Sequence, residues 1–230
     1  MKDIGMLFST PMVQALLEGR KTMTRRGNGL KEINTEPDRY QLANFNGDTA
    51  IFSFQPITGI TKTVLSHCPY AVGDRIWVKE TYTLLGWWQG DVKPHEIDGD
   101  DLIYKADYPE FQWLGDDGEN EQDDGKPFPS KWKSSMFMPK KYARIWLEIV
   151  SVGIERLQDI SEEDARKEGA MFHDGYGVGH SGWRHDYQDV FVNIRSSFAH
   201  LWESIYGIGA WERDKNKFVW KIGFEVKTNG

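Results

Sequence analysis

Residues 18–26 of the chain read EGRKTMTRR, a basic stretch that holds one lysine and three arginines. The apolar residues 4–8 before it predict a short strand. Thr10 followed by Pro11 predicts the start of a helix, because a hydroxyl residue commonly caps a helix and proline is tolerated at its first position. Gly19 is a natural helix end. The basic stretch is therefore expected to lie just past the C-terminus of a helix.

Two side chains of this stretch carry reactive groups. Lys21 can accept or donate a proton if its pKa falls, and it is expected to be partly exposed to a pocket. Thr24 can act as a nucleophile if a base lies beside it. On composition alone, a solvated basic turn without chemistry is the simpler interpretation of these residues.

A second stretch, residues 75–82, reads RIWVKETY and follows a turn at Gly73. Side chains alternate between the two faces of a strand, which places Ile76, Val78 and Glu80 on one face. If that face is the core, the carboxylate of Glu80 needs a partner or a cavity, and Lys21 is an available cation. The alternative is that Glu80 lies at a strand end in water.

The rest of the chain predicts several short strands and about three helices. The Asn46-Gly47 pair between extended runs is a strong hairpin signal within residues 40–64. Residues 144–157 and 218–226 predict long strands. Helices are predicted to begin at Ser161 and to span residues 190–206. This order of elements predicts an α+β fold, compatible with a small β-barrel flanked by helices.

Charge is distributed unevenly along the 230 residues. The net charge is -7, yet residues 86–125 contain 13 acidic and 2 basic side chains, a local balance of -11 that leaves +4 elsewhere. We therefore expect one domain over residues 1–230, with an acidic surface insertion around 86–130. A single cysteine and no apolar run of about 20 residues predict a cytoplasmic protein without a membrane segment.

Four residues of the basic stretch match a family motif. Gly19, Lys21, Thr24 and Arg26 fit the pattern G-x-K-x-x-T-x-R of the ASCH family, and the segment around Glu80 resembles the second block of that family. The resemblance covers roughly the first 85 residues. Later segments, such as WKSSMFMP at 132–139, resemble longer phage- and prophage-associated ASCH proteins.

The resemblance implies a fold and an activity. ASCH proteins have a PUA-like β-barrel fold, which is used to recognise RNA and modified bases, and small members hydrolyse the amide of N(4)-acetylcytidine. The catalytic set of those enzymes corresponds to Lys21, Thr24 and Glu80 in this chain. Arg26 and Arg25 are candidates for binding the sugar or the base edge, with a structural salt bridge as the alternative. No metal or cofactor is implied, and the expected partner is a small modified nucleoside.

Hydrolysis of this amide is an acyl transfer to water, and two assignments of the catalytic roles are open. In the first, Thr24 attacks the acyl carbon, Lys21 takes its proton, and Glu80 orients Lys21. In the second, Lys21 stabilises the oxyanion and Glu80 is the base. Among other functions, a non-catalytic reader of RNA or modified bases is the main alternative, and a ribonuclease is a third.

Other patterns were weighed and set aside. The sequence GVGHSG at 177–182 matches a dinucleotide-binding pattern, but no buried strand is predicted before it. His173, His180 and His185 share that loop, and their spacing fits no usual metal site. Cys68 is expected to be a small packed residue rather than a nucleophile.

Overall fold

The computed structural model describes residues 1–56, 59–86, 102–107, 128–129, 132–171, 193–214 and 217–228. The GVGHSG segment, His173 and His185 lie outside these ranges. The strands of the described residues are β1 (Asp3–Leu7), β2 (Met23–Arg26), β3 (Tyr40–Phe45), β4 (Thr49–Phe54), β5 (Lys62–His67), β6 (Arg75–Lys79), β7 (Tyr82–Gly86), β8 (Leu102–Tyr104), β9 (Phe128–Pro129), β10 (Ile145–Arg156) and β11 (Phe218–Thr228). The α-helices are α1 (Thr10–Leu17), α2 (Glu162–Lys167), α3 (Ile194–Tyr206) and α4 (Ala210–Arg213). Single 3₁₀ turns occupy Ile33–Thr35, Pro37–Arg39, Lys105–Asp107, Ser135–Phe137, Lys140–Tyr142 and Leu157–Asp159.

The strands form three sheets, which confirms the predicted α+β class. The largest sheet has the order β1-β6-β10-β11-β2, with β1 parallel to β6 and the other pairs antiparallel. The two smaller sheets have the orders β3-β4-β5 and β8-β7-β9.

Among the described residues, the large sheet does not close into the barrel that the sequence predicts. Within the described ranges, β1 and β2 are its edge strands and share no ladder of backbone hydrogen bonds. Instead, Arg26 of β2 donates from Nη2 to the carbonyl oxygen of Leu7 in β1 at 3.0 Å. The seam between the two edge strands is therefore bridged by a side chain, and it lies beside the basic stretch.

Alternating side chains build two cores on the two faces of the long strands. Trp220 and Ile222 of β11 are fully buried in the main core with Ile76 and Val78 of β6, whereas Val219 packs on the opposite face. The second core is formed where α2, α3 and α4 cover the strand ends. Its members are Leu157, Ile160, Ala165, Ile194, Phe198, Trp202, Ala210 and Val219. Burying such side chains contributes roughly 1.5–3 kcal/mol each.

Helix α1 begins one residue earlier than predicted. Ser9, not Thr10, is the N-cap residue, and its extended backbone conformation leaves Thr10 and Pro11 within the first turn. The helix ends as expected, because Gly19 has a φ of +72°. A left-handed residue reverses the chain there, and this directs Lys21 toward the interior.

The predicted Asn46-Gly47 hairpin between β3 and β4 is confirmed. Ser161 caps α2 by accepting a hydrogen bond from the Asp164 amide at 3.1 Å. The acidic insertion is not wholly superficial, because Ala106 packs into the main core and its carbonyl oxygen accepts from Gln14 at 3.2 Å.

Two predictions concern the whole chain: the lack of a membrane segment and the single domain. Across the described ranges, none of the helices is both long and apolar enough to span a bilayer. The single domain over residues 1–230 stays a prediction.

Candidate functional site

Lys21 is fully buried between the end of α1 and the start of β2. Its ammonium group donates three hydrogen bonds: to the carbonyl oxygens of Met23 and Glu168, each at 2.8 Å, and to Oε2 of Glu168 at 2.6 Å. An ammonium has three donors, so all of them are used. The expectation that Lys21 is partly exposed to a pocket is therefore wrong. The reversal at Gly19 points its side chain inward instead.

The carboxylate beside Lys21 belongs to Glu168, not to Glu80. Glu168 follows the last turn of α2, where Gly169 adopts a φ of +89° and lies against Lys21: an added Cβ would be 3.4 Å from Lys21 Cβ. The sequence analysis missed Glu168. A Glu-Gly pair at the end of a capped helix is recognisable, but nothing in the sequence connects it with a lysine 147 positions earlier.

Glu80 is buried, as the strand alternation predicts, but it has a different partner. Both of its carboxylate oxygens accept from Arg144, from Nε and from Nη2, at 3.0 Å each. The reason is topological, since Glu80 directly follows β6 and Arg144 directly precedes the antiparallel neighbour β10. The predicted pairing of Glu80 with Lys21 is thus wrong. Burial raises the pKa of Glu80, and the Arg144 guanidinium opposes that rise.

The surroundings of Lys21 lower its pKa on balance. Burial lowers the pKa of Lys21 below its ordinary value; the Glu168 carboxylate opposes this effect, and Arg26 and Arg25 add to it. A neighbouring carboxylate by itself would favour the protonated form of Lys21. Complete desolvation and two nearby guanidinium groups outweigh that single carboxylate.

Arg25 forms the structural salt bridges that were the alternative to substrate binding. Its guanidinium donates to Oε1 of Glu168 at 3.1 Å, to Oε1 of Glu155 at 2.5 Å, and to Oδ2 of Asp164 at 3.0 Å. The side chain is 1 % exposed. The Glu168 carboxylate is therefore held between two cations, with Oε1 on Arg25 and Oε2 on Lys21.

Thr24 has a buried hydroxyl without a hydrogen-bond partner among the described residues. Thr24 lies opposite Ile222 in the ladder between β2 and β11, and directly opposed residues share a face, so Thr24 faces the main core. Leaving a buried hydroxyl unpaired costs about 1–3 kcal/mol. A buried hydroxyl that is left unpaired needs an explanation, and a catalytic role is one of the recognised explanations.

Arg26 lies on the same face of β2 as Thr24 and is half-buried. Beyond its bond to Leu7, it donates from Nη1 to the Arg25 carbonyl oxygen at 3.1 Å. Its guanidinium carbon lies 5.3 Å from the centre of the Phe8 ring, and Lys21 Nζ lies 6.0 Å from the same ring. Lys21 and Arg26 thus lie near the same ring, and Thr24 lies two residues before Arg26 on the same face of β2, without a hydrogen bond to Lys21.

A cleft opens next to this region. It holds about 230 Å³ of space between atoms, part of it open to solvent, and its lining residues are Met12, Arg25, Arg26, Glu168, Phe198, Leu201, Trp202, Ile205 and Tyr206. The rings of Trp202 and Tyr206 lie 4.3 Å apart and 36° from parallel. An apolar and aromatic wall with a few charged groups is typical of small-molecule sites, but the enclosed cavity is only about 10 Å³, far below their usual range of roughly 300–1,000 Å³.

Metal ligation finds no support in the ranges that the structure describes, where no three His, Cys, Asp or Glu side chains converge as ligands would. Cys68 is buried, and burial raises the pKa of its thiol to about 11, as expected for a packed cysteine.

Comparisons of this chain with protein-family models, with curated proteins and with solved structures found no match.

Proposed function

We propose that this chain is an ASCH-type, PUA-like protein that hydrolyses the N(4)-amide of N(4)-acetylcytidine or a related N(4)-acylcytidine, giving cytidine and a carboxylate. One observation carries the proposal: a wholly buried amine, Lys21, is fixed by a carboxylate and lies in the same region as Thr24, whose buried hydroxyl has no partner among the described residues. These are the lysine and threonine of the motif on which the resemblance rests. Glu168 takes the role that the sequence analysis gave to Glu80.

The proposed reaction is acyl transfer to Thr24 and then to water. Thr24 Oγ1 has no hydrogen bond to Lys21 in the structure, so the two groups first have to come together. Thr24 Oγ1 then forms a bond to the acyl carbon and loses its proton to neutral Lys21. Lys21 then returns this proton to the exocyclic nitrogen of cytosine as the carbon–nitrogen bond breaks, which releases cytidine and leaves an ester on Thr24. Water hydrolyses this ester, giving the carboxylate and restoring the threonine.

The lowered pKa of Lys21 supports a role as the base, although its three present contacts are all with acceptors, so the amine has to release one of them before it can accept a proton. Its lowered pKa reduces the free-energy cost of presenting a neutral amine at neutral pH. Glu168 Oε2 and the Met23 carbonyl oxygen fix the position of the amine, and Glu168 can stabilise the ammonium that forms. Of the two assignments of catalytic roles that the sequence left open, the lowered pKa favours the first, with Glu168 as the orienting carboxylate.

The cleft offers suitable chemistry to the nucleoside part of the substrate, but it has to widen to admit a nucleoside, and neither Lys21 nor Thr24 lines it. Its aromatic wall, which includes Trp202 and Tyr206, offers flat surfaces for a pyrimidine, and Arg26 offers donors to the base or the sugar. Because Thr24 is fully buried, an acyl group reaches it only if neighbouring side chains move. Arg26 is the half-buried neighbour on the same face of β2, so we propose that its displacement from the seam opens the way.

The complete burial of Lys21 and Thr24 favours a second candidate, a non-catalytic module that binds RNA or modified bases. In that module the Lys21–Glu168 pair is structural, and the cleft alone contacts the ligand.

One experiment separates the two candidates. The purified chain is incubated with N(4)-acetylcytidine, and cytidine and acetate are quantified by chromatography. The enzyme releases both products in equal amounts, and Thr24→Val abolishes their release. The binding module gives a calorimetric binding signal for the nucleoside but no product, and that result refutes the hydrolase.

A further inference from the structure

Arg25 is a buried guanidinium that three carboxylates hold from two directions. Oε1 of Glu155, near the end of β10, accepts from its Nε at 2.8 Å and from its Nη2 at 2.5 Å. Oδ2 of Asp164 accepts from Nη2 at 3.0 Å, and Oε1 of Glu168 accepts from Nη1 at 3.1 Å. Asp164 and Glu168 are four residues apart at α2, so they lie on one face of that helix. The position of Arg25 is thus fixed by β10 and α2 together.

Lys221 of β11 shares two of these carboxylates with Arg25. The two basic residues are opposed in the ladder between β2 and β11, so their side chains lie on the same face of the sheet. Nζ of Lys221 lies 3.2 Å from Oε2 of Glu155 and 3.3 Å from Oδ2 of Asp164. Glu155 and Asp164 therefore each keep a cation when Arg25 is replaced.

Lys21 and Arg25 compete for the third carboxylate, that of Glu168. Oε2 faces Lys21 at 2.6 Å and Oε1 faces Arg25 at 3.1 Å. Burial lowers the pKa of Lys21; Glu168 opposes this effect, and Arg26 and Arg25 add to it. Loss of Arg25 removes one like charge and leaves both oxygens of Glu168 to the ammonium. Both changes raise the pKa of Lys21.

The other elements packed around this pair contribute few titratable groups. At the end of α1, Arg20 forms an ion pair with Glu18. β1 contributes an aromatic ring. Among the side chains of α3 that line the neighbouring cleft, the Tyr206 hydroxyl is the one that titrates. Within the described part of the chain, Arg25 is thus the only second cation bonded to Glu168.

We propose that Arg25 is a positioning residue for the hydrolysis proposed above: it holds one oxygen of Glu168, so that only the other faces Lys21 and the amine can give up and regain its proton. This role in turnover rests on the proposed function. The effect of Arg25 on the protonation of Lys21 does not, because the contacts that cause it are present whatever the chain catalyses.

NMR of the full chain labelled with [ε-¹³C]lysine measures the protonation of Lys21, since the signal moves as the ammonium loses its proton. The Lys21 signal is the one missing from Lys21→Met. Arg25→Gln should raise the titration midpoint of this signal by about 1 pH unit or more. If that variant does not fold, Arg25→Gln combined with Asp164→Asn removes one charge of each sign and should raise the midpoint in the same way.

Turnover of N(4)-acetylcytidine tests the positioning role. Below the Lys21 midpoint, kcat of Arg25→Gln should fall about 10-fold, and above it kcat should approach that of the wild type. Arg25→Lys keeps a cation beside Glu168 and should restore most of the wild-type pH profile. A merely structural role lowers kcat equally at every pH.

Arg144→Gln is the matched control, because it also removes an arginine from a buried carboxylate, but that carboxylate is Glu80. It should leave the Lys21 midpoint unchanged. An unchanged midpoint in a folded Arg25 variant, an equal rise in Arg144→Gln, or an equal loss of kcat at every pH overturns the proposal. A raised midpoint together with no hydrolysis by the wild type supports the effect of Arg25 on Lys21 and refutes the proposed function instead.

Discussion

Replacing Thr24 by valine should stabilise the protein while abolishing its activity. The substitution exchanges a hydroxyl for a methyl group of similar shape at a fully buried position, so it creates no cavity. The hydroxyl has no partner among the described residues, and an unpaired buried polar group costs about 1–3 kcal/mol. The lower end of that range predicts a gain of about 1 kcal/mol in the free energy of unfolding.

This gain is measurable by calorimetry and by urea unfolding. For a chain of 230 residues, 1 kcal/mol corresponds to a rise in Tm of about 2–4 °C. Ser66→Ala is the matched control, because the buried Ser66 hydroxyl donates to the Gly29 carbonyl oxygen at 3.1 Å. Its loss should cost about 0.5–1.5 kcal/mol. The two variants should therefore move Tm in opposite directions.

The result that refutes this reasoning is a loss of stability in Thr24→Val as large as that in Ser66→Ala. Such a loss means that the Thr24 hydroxyl is satisfied, and it removes the argument that the site keeps an unpaired nucleophile at the expense of stability. A more stable variant that still hydrolyses the substrate points instead to direct attack by water.

Three further outcomes follow from buried groups elsewhere. Arg144→Gln leaves the Glu80 carboxylate buried without its cation and should cost about 3 kcal/mol at pH 7.5 in urea unfolding. Burial raises the folded-state pKa of Glu80, and losing Arg144 raises it further. The loss in free energy of unfolding should therefore grow as the pH rises above the ordinary Glu value and shrink below it. A loss that is independent of pH contradicts the account. Gly169→Ala forces a left-handed backbone onto alanine and brings its Cβ within 2.9 Å of Ala15 Cβ. The substitution should lower the free energy of unfolding by about 1–3 kcal/mol and lower any activity that depends on Glu168. An unchanged Tm argues against this backbone geometry. Cys68 should react with iodoacetamide far more slowly in the native protein than in urea, with a native rate that still rises toward pH 11; equal rates in both states show that the thiol is not buried.

Local sequence signals predicted most of the fold because its elements follow local rules. The alternation of Ile76 and Val78 correctly identified the buried face of β6, and Asn46-Gly47 correctly placed a hairpin. The start of α1 was displaced by one residue because Ser9 and Thr10 are both hydroxyl residues, and only the backbone conformation at Ser9 distinguishes them.

The site depended on contacts between distant parts of the chain, and local rules do not determine those. The alternation rule gave the burial of Glu80 but not its partner, because the partner is set by the order of strands in the sheet. The carboxylate at Lys21 comes from the end of α2, and its position depends on how that helix packs against β2. With 35 acidic residues in the chain, proximity within a motif was a poor guide to which carboxylate reaches Lys21.

The most direct test of the account is the rate of N(4)-acetylcytidine hydrolysis by the wild-type chain, Glu168→Gln and Glu80→Gln, with Tm measured for each protein. Both substitutions keep the shape of the side chain and remove a buried carboxylate, but only Glu168 contacts Lys21. The account predicts turnover by the wild type, a loss of kcat of at least about 100-fold in Glu168→Gln, and a folded Glu80→Gln protein that retains most of its activity. Activity lost in a folded Glu80→Gln protein but kept in Glu168→Gln, or no hydrolysis by the wild type, contradicts it.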